Sequence, residues 1–285
     1  MSATDKQISI LGCGWLGLPL LRHLIADGYS VSGSSRDPAT LAAITGAGGR
    51  AFRVDLPGEV PPGFVPDPFG ILIVALPPRG RALGAAATDH YLAALASLPR
   101  LRSRSAPGIL FLSTTGVYGD ATGRVTEATP PAPATASARA VAAAERWLAD
   151  LPAHYAVLRL AGLVGPHRHP GRFFGGRGRP VSDGDAPVNL VHQDDVIAAV
   201  RLLLERGFTR GTVLNVCAAT HPPKGEFYTA AARRLGLDVA GTVGGGAAGK
   251  RIASDGLRQM GWQPTYDDLT AALDDPAAWS AKNFF

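Results

Sequence analysis

Short apolar runs alternate with stretches of helical spacing from the first residues onward, and this alternation predicts strand–helix–strand units wound around a parallel sheet. Strands are predicted at 8–11, 30–34, 51–54, 71–75, 109–113 and 156–160, with helices near 16–27, 38–45, 82–98 and 136–149. Ile71-Leu72-Ile73-Val74-Ala75 and Ile109-Leu110-Phe111-Leu112 are almost unbroken apolar runs, as strands covered on both faces must be. Between 165 and 187 the periodicity gives way to Gly, Pro, Arg and His. Beyond it come a strand at 188–191, a helix at 194–206, a strand at 212–217, a helix at 225–235, the Gly244-Gly245-Gly246 stretch and a closing helical region. The expected fold is α/β, a Rossmann-type doubly wound parallel sheet with a smaller C-terminal α/β lobe. The expected division is a dinucleotide domain over 1–164 and a substrate lobe over 165–285, interleaved in space.

A length of 285 residues suits one such unit with an attached lobe. With 46% hydrophobic and 18% charged residues the chain is globular in composition, not disordered. Its net charge of +5 comes mostly from scattered arginines. No Lys/Arg block and no aromatic–basic interleaving is present, so a small anionic ligand is expected in place of nucleic acid. Cys13 and Cys217 are too few for a disulfide framework and lack metal-ligand spacing, which points to a reducing compartment and no metal site. Gly12, Gly14 and Gly17 interrupt the first apolar run, so neither a signal peptide nor a membrane span is read there, and a cytoplasmic location is expected.

Gly12-Cys13-Gly14-Trp15-Leu16-Gly17 fits G-x-G-x-x-G directly after a strand and at the start of an amphipathic helix. In that setting the first glycine permits the tight turn and the second lets backbone approach a diphosphate. The third allows close helix–strand packing, with the helix N-terminus facing the anion. The second strand runs into Ser34-Ser35-Arg36-Asp37, so hydroxyls and an arginine stand where an acid would bind ribose hydroxyls. That favours NADP, with NAD kept as the alternative by Asp37. Asp55 is placed to meet the adenine amino group, and Ala75-Leu76-Pro77-Pro78 ends the fourth strand where the cofactor crosses the sheet edge.

The glycine loop, Ser113-Thr114-Thr115-Gly116-Val117-Tyr118-Gly119, Leu158-Arg159-Leu160-Ala161-Gly162-Leu163-Val164-Gly165-Pro166 and Asn189-Leu190-Val191-His192-Gln193-Asp194-Asp195-Val196 occur in the order found in extended short-chain dehydrogenases and sugar-nucleotide epimerases. The chain resembles that superfamily over nearly its whole length. The Ala-Leu-Pro-Pro turn and the closing Gly261-Trp262-Gln263-Pro264-Thr265-Tyr266 look like its YeeZ-like atypical branch. The superfamily pattern of Pro, Tyr, Lys and Glu at four-residue steps falls here on Pro133, Ser137, Val141 and Glu145, and no lysine occurs anywhere between Gln7 and Pro223. The resemblance implies a proton relay from a tyrosine whose pKa a lysine lowers. A serine hydroxyl is far less acidic, and valine carries no charge.

What the resemblance leaves is a partial site. Thr114 matches the catalytic Ser/Thr, with Thr115 beside it, Tyr118 as the remaining phenol and Ser137 acting through a water. For Tyr118, packing is the competing role. The 165–187 segment lies where the superfamily builds its substrate pocket, so Arg168, Arg172 and Phe173 are candidate contacts for an acidic or phosphorylated substrate, against the alternative of a solvated basic loop. His192 is expected to anchor the strand end, with Asp194 or Asp195 capping the helix that follows. The resemblance also implies a homodimer through the helices at 82–98 and 136–149. Two functions are therefore expected to compete: an NADP-dependent oxidoreductase or epimerase with an atypical acid, and a non-catalytic dinucleotide-binding regulator or partner subunit.

Overall fold

Strand β1 (Gln7–Leu11) is exposed only at its first residue, and α1 (Gly17–Ala26) presents Leu20, Leu21 and Leu24 to the core at helical spacing. The chain continues through β2 (Ser30–Ser35), α2 (Pro38–Gly46), β3 (Arg50–Arg53), β4 (Ile71–Val74), α3 (Gly80–Leu83), α4 (Ala87–Ala96) and β5 (Gly108–Thr114). It then forms β6 (Gly123–Val125), α5 (Ala136–Ala149), β7 (Tyr155–Leu160), β8 (Gly162–Val164), β9 (Leu190–His192), α6 (Gln193–Arg206) and β10 (Thr212–Val216). The last elements are α7 (Lys224–Arg233), β11 (Lys250–Ile252), α8 (Asp255–Gln259), α9 (Leu269–Ala272) and α10 (Pro276–Trp279). The computed structural model describes residues 7–66, 69–99, 101, 103 and 106–280.

Seven strands form one sheet in the order β10-β7-β5-β4-β1-β2-β3, and every pairing from β3 across to β5 is parallel. β1 lies between β2 and β4, with Ile8 in register with both Val31 and Ile71. The order reverses at β1, which makes the C-terminal ends of β1 and β4 a topological switch point where ligands of such sheets bind. The expected Rossmann-type parallel sheet is the architecture found.

The described residues divide into two compact units. Unit 1 comprises the described residues within 1–117, 133–159 and 200–213; unit 2 comprises those within 118–132, 160–199 and 214–285. In unit 1 an exposed ion pair ties Arg201 to Asp27, and a buried one joins Arg159 to Glu145. Unit 2 holds two parallel strand pairs, β6 with β11 and β8 with β9. Its core gathers Val164, Val188, Leu190, Phe227 and Leu269.

The helix expected at 82–98 is instead broken: α3 is followed by a 3-10 turn at Gly84–Ala86 and then by α4. Gly84 has φ of 52° and ψ of −125°, a conformation no helix can pass through. The three-residue strands β6, β8 and β11 were too short for the apolar pattern to mark them. Among the described residues no helix is long and apolar enough to cross a membrane.

Candidate functional site

The turn after β1 uses its three glycines differently. Gly12 has φ of 99°, and a Cβ there would lie 3.0 Å from the Ala75 carbonyl oxygen. A Cβ at Gly17 would fall 2.2 Å from the Gly12 carbonyl oxygen, so only glycine lets α1 start this close to the turn. At Gly14 a Cβ would meet nothing within 4 Å. The fold therefore closes around the first and third glycines and leaves the approach to the second clear, beside the N-terminus of the ten-residue helix α1. That combination fits a dinucleotide, whose diphosphate needs bare backbone there.

The turn is braced from β2. Ser34, almost fully buried, accepts a hydrogen bond from the Gly12 amide at its Oγ (3.0 Å), and its carbonyl accepts from the Cys13 amide (2.8 Å). Burial pushes the Cys13 thiol up to about 12, so it stays protonated and unreactive. On the opposite wall the buried Tyr91 donates its hydroxyl to the Leu76 carbonyl (2.8 Å) and fixes the strand-end loop.

Of the residues singled out for a cofactor, Gly12, Gly14, Ser34, Ser35, Arg36, Asp55, Leu76 and Pro77 line one groove of unit 1. Trp15, Leu16, Gly17 and Ala75 do not line it. The sequence reading missed Thr40, Arg79, His90 and Tyr91 on the same walls. Arg79 had a signal, since it follows Pro77-Pro78 at the end of β4; the α4 residues had none beyond helical spacing.

At the β2 tip the charged groups are sorted by their partners. Asp37 caps α2: its Oδ2 accepts from the Thr40 amide (2.9 Å) and the Thr40 hydroxyl (2.7 Å), which holds its carboxyl below the usual range. Arg36 Nη1 lies 3.3 Å from Asp55 Oδ1, both side chains more than half exposed.

The residues considered for catalysis are placed as follows. Thr114, half-buried, accepts the Gly116 amide at its Oγ1 (3.1 Å), and Thr115 is buried. Ser113 donates to Glu145, whose carboxylate also receives a forked hydrogen bond from Arg159. Ser137, the second residue of α5, has the Gly80 backbone against it, since a Cβ at Gly80 would sit 2.3 Å from Ser137 Oγ. The space a larger side chain would need is filled by main chain. Val141, one turn on, is buried.

In unit 2, Tyr118 has no solvent exposure, and its hydroxyl donates to Asn215 Oδ1 (2.8 Å), while Asn215 Nδ2 donates to the Ala253 carbonyl (3.0 Å). Arg168 and Arg172 are exposed, and the half-buried Phe173 packs its ring 5.8 Å from that of Tyr228. His169 between them is structural: its Nδ1 accepts the Gly171 amide and its ring meets Trp279 edge-on at 4.4 Å. His192 is fully buried. It accepts the Asp194 amide at Nδ1, which leaves Nε2 to donate to the Ala278 carbonyl (2.7 Å). Asp195 does not cap α6; its two oxygens receive the Thr265 and Tyr266 amides (2.6 and 3.1 Å), and burial pushes its pKa up to about 6. No cluster of three metal-ligating side chains occurs among the described residues.

Comparison with known proteins agrees with this architecture. Residues 85–217 match the NAD dependent epimerase/dehydratase family. Protein YeeZ of Escherichia coli K12 is 39% identical over 278 residues, covering 92% of this chain and 97% of that protein. A functionally unknown conserved protein from Silicibacter pomeroyi superposes with a TM-score of 0.71 at 27% identity, over 94% of this chain and 97% of that one. The fold is also that of UDP-glucuronic acid 4-epimerase from Bacillus cereus, solved in complex with NAD: TM-score 0.74, 18% identity, 96% of this chain and 97% of that one. This chain therefore belongs to the NAD-dependent epimerase/dehydratase family of extended short-chain dehydrogenases, on its YeeZ-like atypical branch, as a dinucleotide-binding, epimerase-like protein without the Tyr/Lys pair.

Proposed function

We propose that the protein binds NADP in the unit 1 groove and acts as an oxidoreductase or epimerase on a small substrate that is anionic or resembles a sugar nucleotide. The observation that carries the NADP reading is the sorting of charges at the β2 tip. Asp37, the acid on which the NAD alternative rests, is committed to the α2 cap through Thr40, while Arg36 stands exposed on the groove wall. A guanidinium fork suits a phosphate dianion, and the exposed partner Asp55 holds it only weakly.

A bound nicotinamide would supply hydride transfer, and the chain's residues would bind and orient. The backbone at Gly12 and Gly14 takes the diphosphate, and Arg36 the 2′-phosphate. The hydroxyl of the half-buried Thr114, at the end of β5, hydrogen-bonds a substrate oxygen. Arg168, Arg172 and Phe173 are the contacts proposed for the anionic substrate, because both arginines are exposed and Phe173, in the same segment, is half-buried.

A second reading, a dinucleotide-binding protein without turnover, is favoured by two observations. The Tyr118 hydroxyl is buried on Asn215, and position 137 carries only a serine pressed against Gly80. Both readings require binding, measured by fluorescence titration with NADPH and NADH. A panel of aldehydes, ketones and sugar nucleotides followed at the nicotinamide absorbance separates them: turnover supports the enzyme, and tight binding with no turnover across the panel supports the regulator.

A further inference from the structure

Arg79 is held in the left-handed region, at φ 53° and ψ 25°, one of three non-glycine residues of the described chain at positive φ. A side chain other than glycine costs stability in that conformation, and such strain is found where a side chain must be aimed. The Arg79 carbonyl accepts from the Ala82 and Leu83 amides, which closes the turn into α3. Its side chain is exposed, lines the same groove as Gly12 and Gly14, and has no acidic partner among the described residues. Arg36, the other arginine on the groove, is paired with Asp55. Two cations of different status therefore flank this groove.

The residue after Arg79 explains where its turn sits. Gly80 is buried with its backbone against Ser137, on the α5 face that carries Ser137 and, one turn later, Val141. The Arg79–Gly80 turn therefore packs on α5 at Ser137, the position where the superfamily carries its tyrosine. The geometry points to Arg79 as the cation that grips the diphosphate of a bound dinucleotide, supplied from the turn that packs on α5. The guanidinium fork suits a diphosphate, and with no competing carboxylate it is not drawn away. Unlike the superfamily lysine, it cannot serve an acid–base relay, so this cation binds and orients only.

The inference rests on the dinucleotide reading of the groove, and the test keeps the two apart. Wild type, Arg79→Gly and Arg79→Met are titrated with NADH, NADPH, ADP-ribose and adenosine, and the thermal midpoint of each free protein is recorded. In both variants the affinities for NADH, NADPH and ADP-ribose fall by about tenfold or more, while adenosine is unaffected, since charge-assisted contacts to phosphate are lost and nothing else. Arg79→Gly also melts above wild type, because glycine removes the left-handed strain; Arg79→Met does not. NADH and ADP-ribose affinities within twofold of wild type in both variants overturn the assignment. A loss confined to NADPH also overturns it, making Arg79 a 2′-phosphate contact. Wild type that binds none of the dinucleotides overturns the groove reading itself, and this inference with it.

Discussion

Arg36 and Asp55, at the ends of neighbouring strands β2 and β3, face each other at 3.3 Å on the wall of the groove. The pair is exposed, so its attraction is screened and worth under about 1 kcal/mol. A ligand phosphate can take the guanidinium from the carboxylate at little cost. Arg36→Ser is expected to lower NADPH affinity by about tenfold while changing NADH affinity less than threefold, read by paired fluorescence titrations. Asp55→Asn should move NADPH affinity the other way, because it removes the competing carboxylate.

The unequal surroundings of the glycines give a sharper contrast. Gly14→Val places its side chain into open space, so the variant should fold and melt close to wild type yet bind neither NADPH nor NADH. Gly17→Ala puts a methyl group against the Gly12 carbonyl and should lower stability by about 2 kcal/mol or more. Calorimetry with cofactor titration distinguishes the two; a Gly14→Val protein that still binds would remove the diphosphate from this turn.

Tyr118→Phe leaves the buried Asn215 Oδ1 without its donor and should cost about 1 to 2 kcal/mol in denaturant unfolding. Cofactor affinity should not change. If a substrate is found, its turnover should also survive, because the fully buried hydroxyl is engaged inside unit 2.

Asp195 makes stability depend on pH. Its pKa is raised to about 6 by burial, so its protonated form is favoured in the folded state. The stability it contributes is full below the ordinary carboxylate pKa near 4 and is lost as pH rises through about 6, by an amount on the order of 3 kcal/mol. Thermal melts between pH 4.5 and pH 7.5 should show this rise toward acid in wild type. In Asp195→Asn that component should be absent, and the variant should be destabilised at all pH values, since an amide nitrogen cannot accept the Thr265 or Tyr266 amide.

Much of unit 1 was legible in the sequence because its strands are buried on both faces and its first helix is amphipathic. Ile71–Val74 and Leu20/Leu21/Leu24 are periodic signals that neighbours only reinforce. The glycine turn was legible for the same reason, since its geometry is a local property of the backbone. Less legible were features that arise from contacts distant in sequence. Asp55 is a turn acid until β3 lies beside β2 and brings it to Arg36, and Tyr118 is a phenol near a family motif until Asn215 takes its hydroxyl. Arg79 is a surface arginine until its backbone conformation and the contact of Gly80 with Ser137 are known. Asp195 read as a helix cap by position, yet the partners that claim it are 70 residues downstream.

The measurement that bears most directly on the account is titration of the purified, cofactor-free protein with NADPH and with NADH under identical salt. The account predicts saturable binding of both, with NADPH tighter by about tenfold and the difference abolished in Arg36→Ser. NADH binding equal to or tighter than NADPH would contradict the role given to Arg36, and binding of neither would contradict the dinucleotide groove.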